Sequence, residues 1–318
     1  MERFYLDFEH PIVEMERQIR DMNNLSSSGS VDLDEDISRM EKKLDKLREE
    51  IYTHLNRWQK VQLARHPNRP YTSDYLQRIC PSFIELHGDR LFRDDPSIIT
   101  GMGQIDSRSV VLVGHQKGRG TKDNLYRNFG MPHPEGYRKA LRVMKFGAKF
   151  NLPIITMIDT PGAYPGLEAE ERGQAEAIAR NLFEMASLPV PIITVVIGEG
   201  GSGGALAISV ADRILMLEYA IYSVISPEGC ASILYRDSQQ APKAAEALKL
   251  TAQDLMELKV IDGIIPEPLG GAHHDVDGIA KTIKEEILKQ IDELVEIPVK
   301  ELLVSRTEKY EKMGVWKE

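Results

Sequence analysis

Between Val195 and Ala205 the chain reads Val-Val-Ile-Gly-Glu-Gly-Gly-Ser-Gly-Gly-Ala, with five glycines in seven residues. An apolar strand here runs into a side-chain-free turn and then into a small-residue helix. Missing side chains let a ligand approach the main-chain N–H groups, and the helix start adds the positive end of its dipole. The chemistry this suits is stabilisation of an anion or a developing oxyanion by main-chain N–H groups of this turn. A tight turn against a neighbouring strand would need only one or two of these glycines.

Two other patterns overlap the same segment. Gly198, Gly200 and Gly203 have the spacing of a dinucleotide fingerprint, with Glu218 as its ribose acid, but only 15 residues separate Gly203 from Glu218. Gly200-x-Ser202-x-Gly204 has the form of a nucleophile elbow, with Asp262 and His273 or His274 following in hydrolase order. That reading makes Ser202 the nucleophile of a serine hydrolase, although no separate oxyanion loop is evident. A second loop, Asp159-Thr-Pro-Gly-Ala-Tyr-Pro-Gly166, also follows an apolar run. Its Asp159-x-x-Gly162 resembles a GTPase switch, but the chain has no GxxxxGK[ST], and His115-Gln-Lys-Gly-Arg-Gly-Thr121 lacks the lysine placement of a phosphate cradle.

These loops need elements to hold them. β-branched runs at Val110–Val113, Ile154–Ile158 and Ile192–Ile197 predict buried strands. Helices are predicted at Gly136–Phe150, Glu170–Ser187, Ala205–Ala211 and Pro242–Leu250, so the body reads as α/β with crossover connections. Over 275–295, Ile279, Ile283, Ile287 and Ile291 predict a further amphipathic helix. At the N-terminal end, Phe8, Ile12, Met15, Ile19 and Met22, then Ile37, Met40, Leu44, Leu47 and Ile51, predict two helices separated by the polar break SSSGS at 26–30. Their narrow apolar seams can pack on one another, on the body or on a partner subunit. The expected organisation is an N-terminal helical extension over 1–68, a main domain over 69–295 and a charged helical tail over 296–318.

Composition excludes several classes. The 318 residues are 42% hydrophobic and 28% charged, which describes a globular chain with a large core. No apolar run reaches membrane-spanning length, so no membrane association is expected. A net charge of −9 disfavours bulk nucleic-acid binding, and no specific nucleic-acid contact is predicted. Cys80 and Cys230 lie 150 residues apart without a CxxC, and the first ten residues lack a secretory pattern. Both point to a reducing, cytoplasmic setting. The eight histidines show no metal-binding spacing. From Lys117 to Lys149, nine basic residues face two acidic ones, a local +7. Arg138, Arg142, Lys145 and Lys149 share one helix face, either as a solvated stripe or as a surface for an anionic partner.

Several long blocks, in one order, resemble a known family. They are Gln62-Leu-Ala-Arg-His-Pro67 with Arg69-Pro-Tyr71, Gly114-His-Gln-Lys-Gly118, Asn128-Phe-Gly-Met-Pro132, Pro134-Glu-Gly-Tyr-Arg-Lys-Ala140, Ile158 to Gly166, Gly198 to Ala207, Tyr222 to Ser232 and Ile264 to His273. The sequence is similar, nearly end to end, to the alpha subunits of bacterial acetyl-coenzyme A carboxylase carboxyltransferases. This resemblance implies a crotonase-like (ClpP/crotonase) ββα superhelix and a β subunit of the same fold completing an α2β2 assembly. It also implies transfer of a carboxyl group from carboxybiotin, held on a separate biotin carboxyl carrier protein, to acetyl-coenzyme A. The product would be malonyl-coenzyme A for fatty-acid synthesis, and ATP would be used by a partner biotin carboxylase. Carried onto this chain, the resemblance implies that the donors to the biotin oxygen are the N–H groups of Gly203 and Gly204, that Gly162 and Ala163 form the opposing wall, and that Gly200 and Gly201 are further substrate-binding positions. Charge that collects on a ureido oxygen would then be stabilised without a titrating side chain.

Overall fold

The computed structural model describes residues 4–27 and 33–314. Eight strands form one sheet: β1 (Ile84–Glu85), β2 (Ile98–Ile105), β3 (Arg108–His115), β4 (Ile154–Thr160), β5 (Ile192–Gly201), β6 (Arg213–Leu217), β7 (Ile221–Ser223) and β8 (Gly263–Ile265). The order is β1-β2-β3-β4-β5-β6-β8, with β7 also pairing with β5. Pairs β1–β2 and β2–β3 are antiparallel and the rest are parallel. Every residue of β4 and β5 is buried, as expected of parallel strands covered on both faces. Thr156 and Thr194, the polar residues in their middles, share one hydroxyl hydrogen bond of 2.7 Å.

The helices follow from local sequence. The first four are α1 (His10–Ser27), α2 (Asp34–Thr53), α3 (Arg57–Ala64) and α4 (Thr72–Ile79). α3 starts at a capping box, in which the Asn56 side chain accepts from the Gln59 N–H and Gln59 accepts from the Asn56 N–H. After β3 come α5 (Gly120–Tyr126) and α6 (Pro134–Lys149). Proline opens α6, where its missing N–H costs nothing, and Tyr137, Ala140, Val143 and Met144 are fully buried beneath the sheet. The predicted helix 170–187 is two helices, α7 (Leu167–Glu171) and α8 (Gln174–Ser187). They are divided at Gly173, whose φ of 82° no helix accepts.

The predicted helix 205–211 begins earlier, as α9 (Ser202–Leu206), and stops sooner. Next are α10 (Pro227–Tyr235), α11 (Ala241–Leu248) and α12 (Ala252–Glu257), with α11 ended by Lys249 in the left-handed region at φ 49°. α13 (Val276–Val295) is capped by Asp275 and buries Ile279, Ile283, Ile287 and Ile291.

The last helix, α14 (Val299–Glu311), carries a charged sequence but docks firmly. Arg306 is 1% exposed and donates to the carbonyls of Met185, Leu188 and Val190 and to both carboxylate oxygens of Asp212.

Helices α1 and α2 pack on one another through Ile12, Ile19, Ile37 and Leu44, and this cluster continues to Leu63 and Tyr219 of the body. The buried Tyr52 hydroxyl donates to Glu9 at 2.7 Å, and Arg48 pairs with Glu16 at 2.7 Å. Ser26 and Ser27 of the predicted polar break extend α1, and residues 28–30 lie outside the described residues. No helix among the described residues is long and apolar enough to cross a membrane.

Candidate functional site

β4 and β5 are neighbours, so their carboxyl-terminal loops meet. The loop after β4 runs through Pro161, Gly162 and Ala163, and β5 turns at Gly201 into α9. The contact is backbone on backbone. A methyl group on Gly201 would sit 2.2 Å from the Pro161 carbonyl oxygen, and one on Gly204 would sit 2.4 Å from the Gly162 carbonyl carbon. On Gly200 it would meet the Tyr222 ring at 2.6 Å. The glycines at 200, 201 and 204 are therefore required by packing alone.

Gly203 differs. It has an ordinary φ, is half-buried, and its nearest neighbour for an added methyl is Ile178 at 3.8 Å. The fold has no need of glycine there. It lies in the first turn of α9, whose N-cap residue, Gly201, provides no side-chain cap. The first N–H groups of a helix lack intrahelical acceptors, and Gly203 and Gly204 both stand in that first turn. Beside Gly203 opens a groove of about 420 Å³, lined by Ser202, Gly203, Leu206, Tyr222, Val224 and Leu258 among others, and mostly apolar. Within the opposing loop, the Gly162 N–H donates to Thr160 Oγ1 at 3.1 Å, and that hydroxyl donates to the Gly130 carbonyl at 2.6 Å. The Gly162 amide is therefore already engaged.

Around this site the side chains are locked. Lys117 Nζ donates to Asp159 Oδ1 at 2.6 Å and lies 3.7 Å from Glu199. Arg65 bridges Glu199 and Glu228, at 2.6 Å to each. His115 is wholly buried against the backbone of Gly204 and Met157, and burial pushes its pKa down to about 3. It is neutral at working pH. Sequence reading noticed His115 and Glu199 only as residues within motifs, and nothing in their spacing marked them as buried.

The hydrolase arrangement is not assembled, which corrects the reading of Ser202 as a nucleophile. Asp262 accepts from the Ile214 N–H at 2.6 Å and pairs with Lys309. His273 stacks on His66 at 3.9 Å and, with His274, lines a separate cavity against α1 and α2. Ser202 lines the other groove, with φ of 51°. The dinucleotide reading also fails, because Glu218 accepts from the Glu267 N–H at a turn beside β8.

The basic stretch is mostly neutralised within the chain. Arg119 pairs with Asp74, Arg138 with Asp89 and Glu135, Lys139 with Asp94, and Lys145 with Glu184. Arg142 donates to the His87 and Gly88 carbonyls. As a patch for an anionic partner it is largely spent.

Solved structures share this fold. A transcarboxylase 12S chain superposes with a TM-score of 0.59 at 18% identity, over 73% of this chain and 44% of its own length. The fold is thus that of the crotonase-like carboxyltransferases. The family model described as "Acetyl co-enzyme A carboxylase carboxyltransferase-like" matches residues 5–314, and the chain belongs to that family. Relatives include the acetyl-coenzyme A carboxylase carboxyl transferase subunit alpha of Geobacter metallireducens, 57% identical over 98% of both chains. The protein of the same name from Methylococcus capsulatus is 54% identical over 100% of this chain and 99% of its own.

Proposed function

We infer that this chain is the carboxyltransferase alpha subunit of an acetyl-coenzyme A carboxylase, and that it presents the biotin side of the site. It acts with a β subunit in an α2β2 assembly and receives carboxybiotin on a biotin carboxyl carrier protein charged by an ATP-using biotin carboxylase. Acetyl-coenzyme A becomes malonyl-coenzyme A, the first committed step of fatty-acid synthesis, in the cytoplasm. Residues 1–68 act as a helical extension, 69–295 as the transferase domain and 296–318 as a charged helical tail.

The observation that carries this reading is Gly203, a glycine that packing does not require, at an uncapped helix start beside an apolar groove. Apolar walls with the Gly203 backbone along one side fit a neutral fused ring bearing a single urea oxygen. Carboxybiotin supplies the carboxyl group. The residues of this chain orient the ring against Gly162 and Ala163 and direct the Gly203 and Gly204 N–H groups at the oxygen where charge develops. Preorganised amides need no reorientation as that charge grows, and loss of one such donor costs roughly 10²-fold or more in rate. Gly200 and Gly201 hold the shape of the turn.

The test is malonyl-coenzyme A formation from carboxylated carrier protein and acetyl-coenzyme A, by this chain with and without its β partner. Formation only with both together is expected. Hydrolysis of simple esters by the chain alone would overturn the reading.

A further inference from the structure

We propose that Asp159, neutralised by Lys117, is a positioning residue that sets where the Gly203 and Gly204 amides lie. The proposal rests on the biotin-side reading above and deepens it. The central strands are irregular at this point. β4 and β5 pair in step from Ile154 with Ile192 to Ile158 with Val196, but the next pair is Thr160 with Gly200. One residue of β4, Asp159, therefore stands opposite three of β5, Ile197, Gly198 and Glu199. Such a bulge frees backbone groups from the ladder and re-aims the strand beyond it.

Side chains from outside β5 take up the freed groups. The Asp159 carboxylate accepts the Glu199 N–H at 3.0 Å through Oδ1, and the same oxygen accepts from Lys117 Nζ at 2.6 Å. On the other side of the bulge, the Ile197 carbonyl accepts from Arg69 Nε at 2.7 Å, while the buried Arg69 is held by Glu267 at 2.6 Å. Gly198 between them must be glycine, because a methyl group there would come within 2.5 Å of Asp159 Oδ1. The carboxylate thus fills the space of the missing side chain and fixes how far β5 overshoots β4. Four residues later the strand has become the first turn of α9.

Asp159 is 2% exposed, behind the turn. It acts on the reaction only through the backbone it holds. An isolated buried carboxylate would be costly, which is why the Lys117 ammonium must accompany it.

The experiment uses the reconstituted complex with its β partner, carboxylated carrier protein and acetyl-coenzyme A, and reads kcat, KM for acetyl-coenzyme A and melting temperature. Asp159→Ala leaves the Glu199 amide without its acceptor, and kcat should fall about ten-fold or more, with KM within about two-fold. Asp159→Asn combined with Lys117→Met keeps an acceptor for that amide and removes the unpaired ammonium. It should retain kcat within about five-fold of the parent. The proposal is overturned if Asp159→Ala assembles and keeps kcat within about two-fold, or if the paired neutral variant assembles and is as slow as Asp159→Ala. Should Asp159→Ala fail to assemble, the paired variant decides alone, with a loss beyond about ten-fold counting against the proposal. A complex in which Gly203→Ala transfers at full rate would instead remove the biotin-side reading, whatever Asp159 does.

Discussion

Gly204 and Gly162 touch backbone to backbone, so closely that a methyl group on Gly204 would lie 2.4 Å from the Gly162 carbonyl carbon. Gly203, its neighbour, has open space. The two glycines should therefore respond differently to alanine. Gly204→Ala must push two loops apart and should destabilise the chain by about 1–3 kcal/mol. Gly203→Ala sits in a helical turn without strain and should keep or raise stability, by up to about 1 kcal/mol. It should still slow transfer by roughly 10²-fold, because its methyl group occupies the space at the amide donors. Denaturant melts and initial rates on the same preparations check both halves. Equal stability losses in the two variants would contradict the packing argument.

Ser202→Ala should leave carboxyl transfer within about two-fold of the parent, since Asp262 is paired with Lys309 and His273 is stacked on His66 in a separate cavity. Gly at this position should be mildly stabilising, as Ser202 holds φ at 51°. A fluorophosphonate probe should not label Ser202, and labelling there would reopen the hydrolase reading.

Breaking the Arg306–Asp212 pair should be costly. Arg306→Leu strands a buried carboxylate and three carbonyls, and the expected loss is about 3–5 kcal/mol by chemical denaturation. Arg306→Lys should not restore it, because an ammonium cannot reach all of these acceptors at once. A loss below about 1 kcal/mol would mean that α14 contributes little to the body.

Acid should loosen the contact between the N-terminal helices and the body. Burial first, then the neighbouring His66, His274 and Arg69, hold the His273 pKa down near 2, so His273 is neutral when folded and protonated when unfolded below about 6.5. Its contribution is complete above that pH and is lost as pH falls, at up to about 1.4 kcal/mol per unit. Stability of the parent between pH 7.5 and 5.5 should fall more steeply than that of His273→Gln, values chosen to bracket the ordinary imidazole range of about 6.5. Parallel curves would exclude His273 as the sensor.

Much was written locally. The runs at Ile154 and Ile192 declared buried parallel strands because a strand covered on both faces must be apolar throughout, and the isoleucines of α13 declared their helix by period. The glycine cluster marked a close backbone approach, and the structure accounts for four of its five glycines by packing, at 198, 200, 201 and 204. The ordered blocks from Gln62 to His273 carried the family.

The tertiary structure decided which glycines packing requires. Gly203 and Gly204 look alike in sequence, and only the neighbouring β4 loop separates the one that packing demands from the one it leaves free. It also paired the basic stretch with acids far away in the chain, turned Lys117 inward onto Asp159, and carried His273 away from Ser202. The physical reason is common to all of these. Composition and period are properties of a segment, but steric room and charge compensation belong to pairs of segments that meet only when the sheet is assembled.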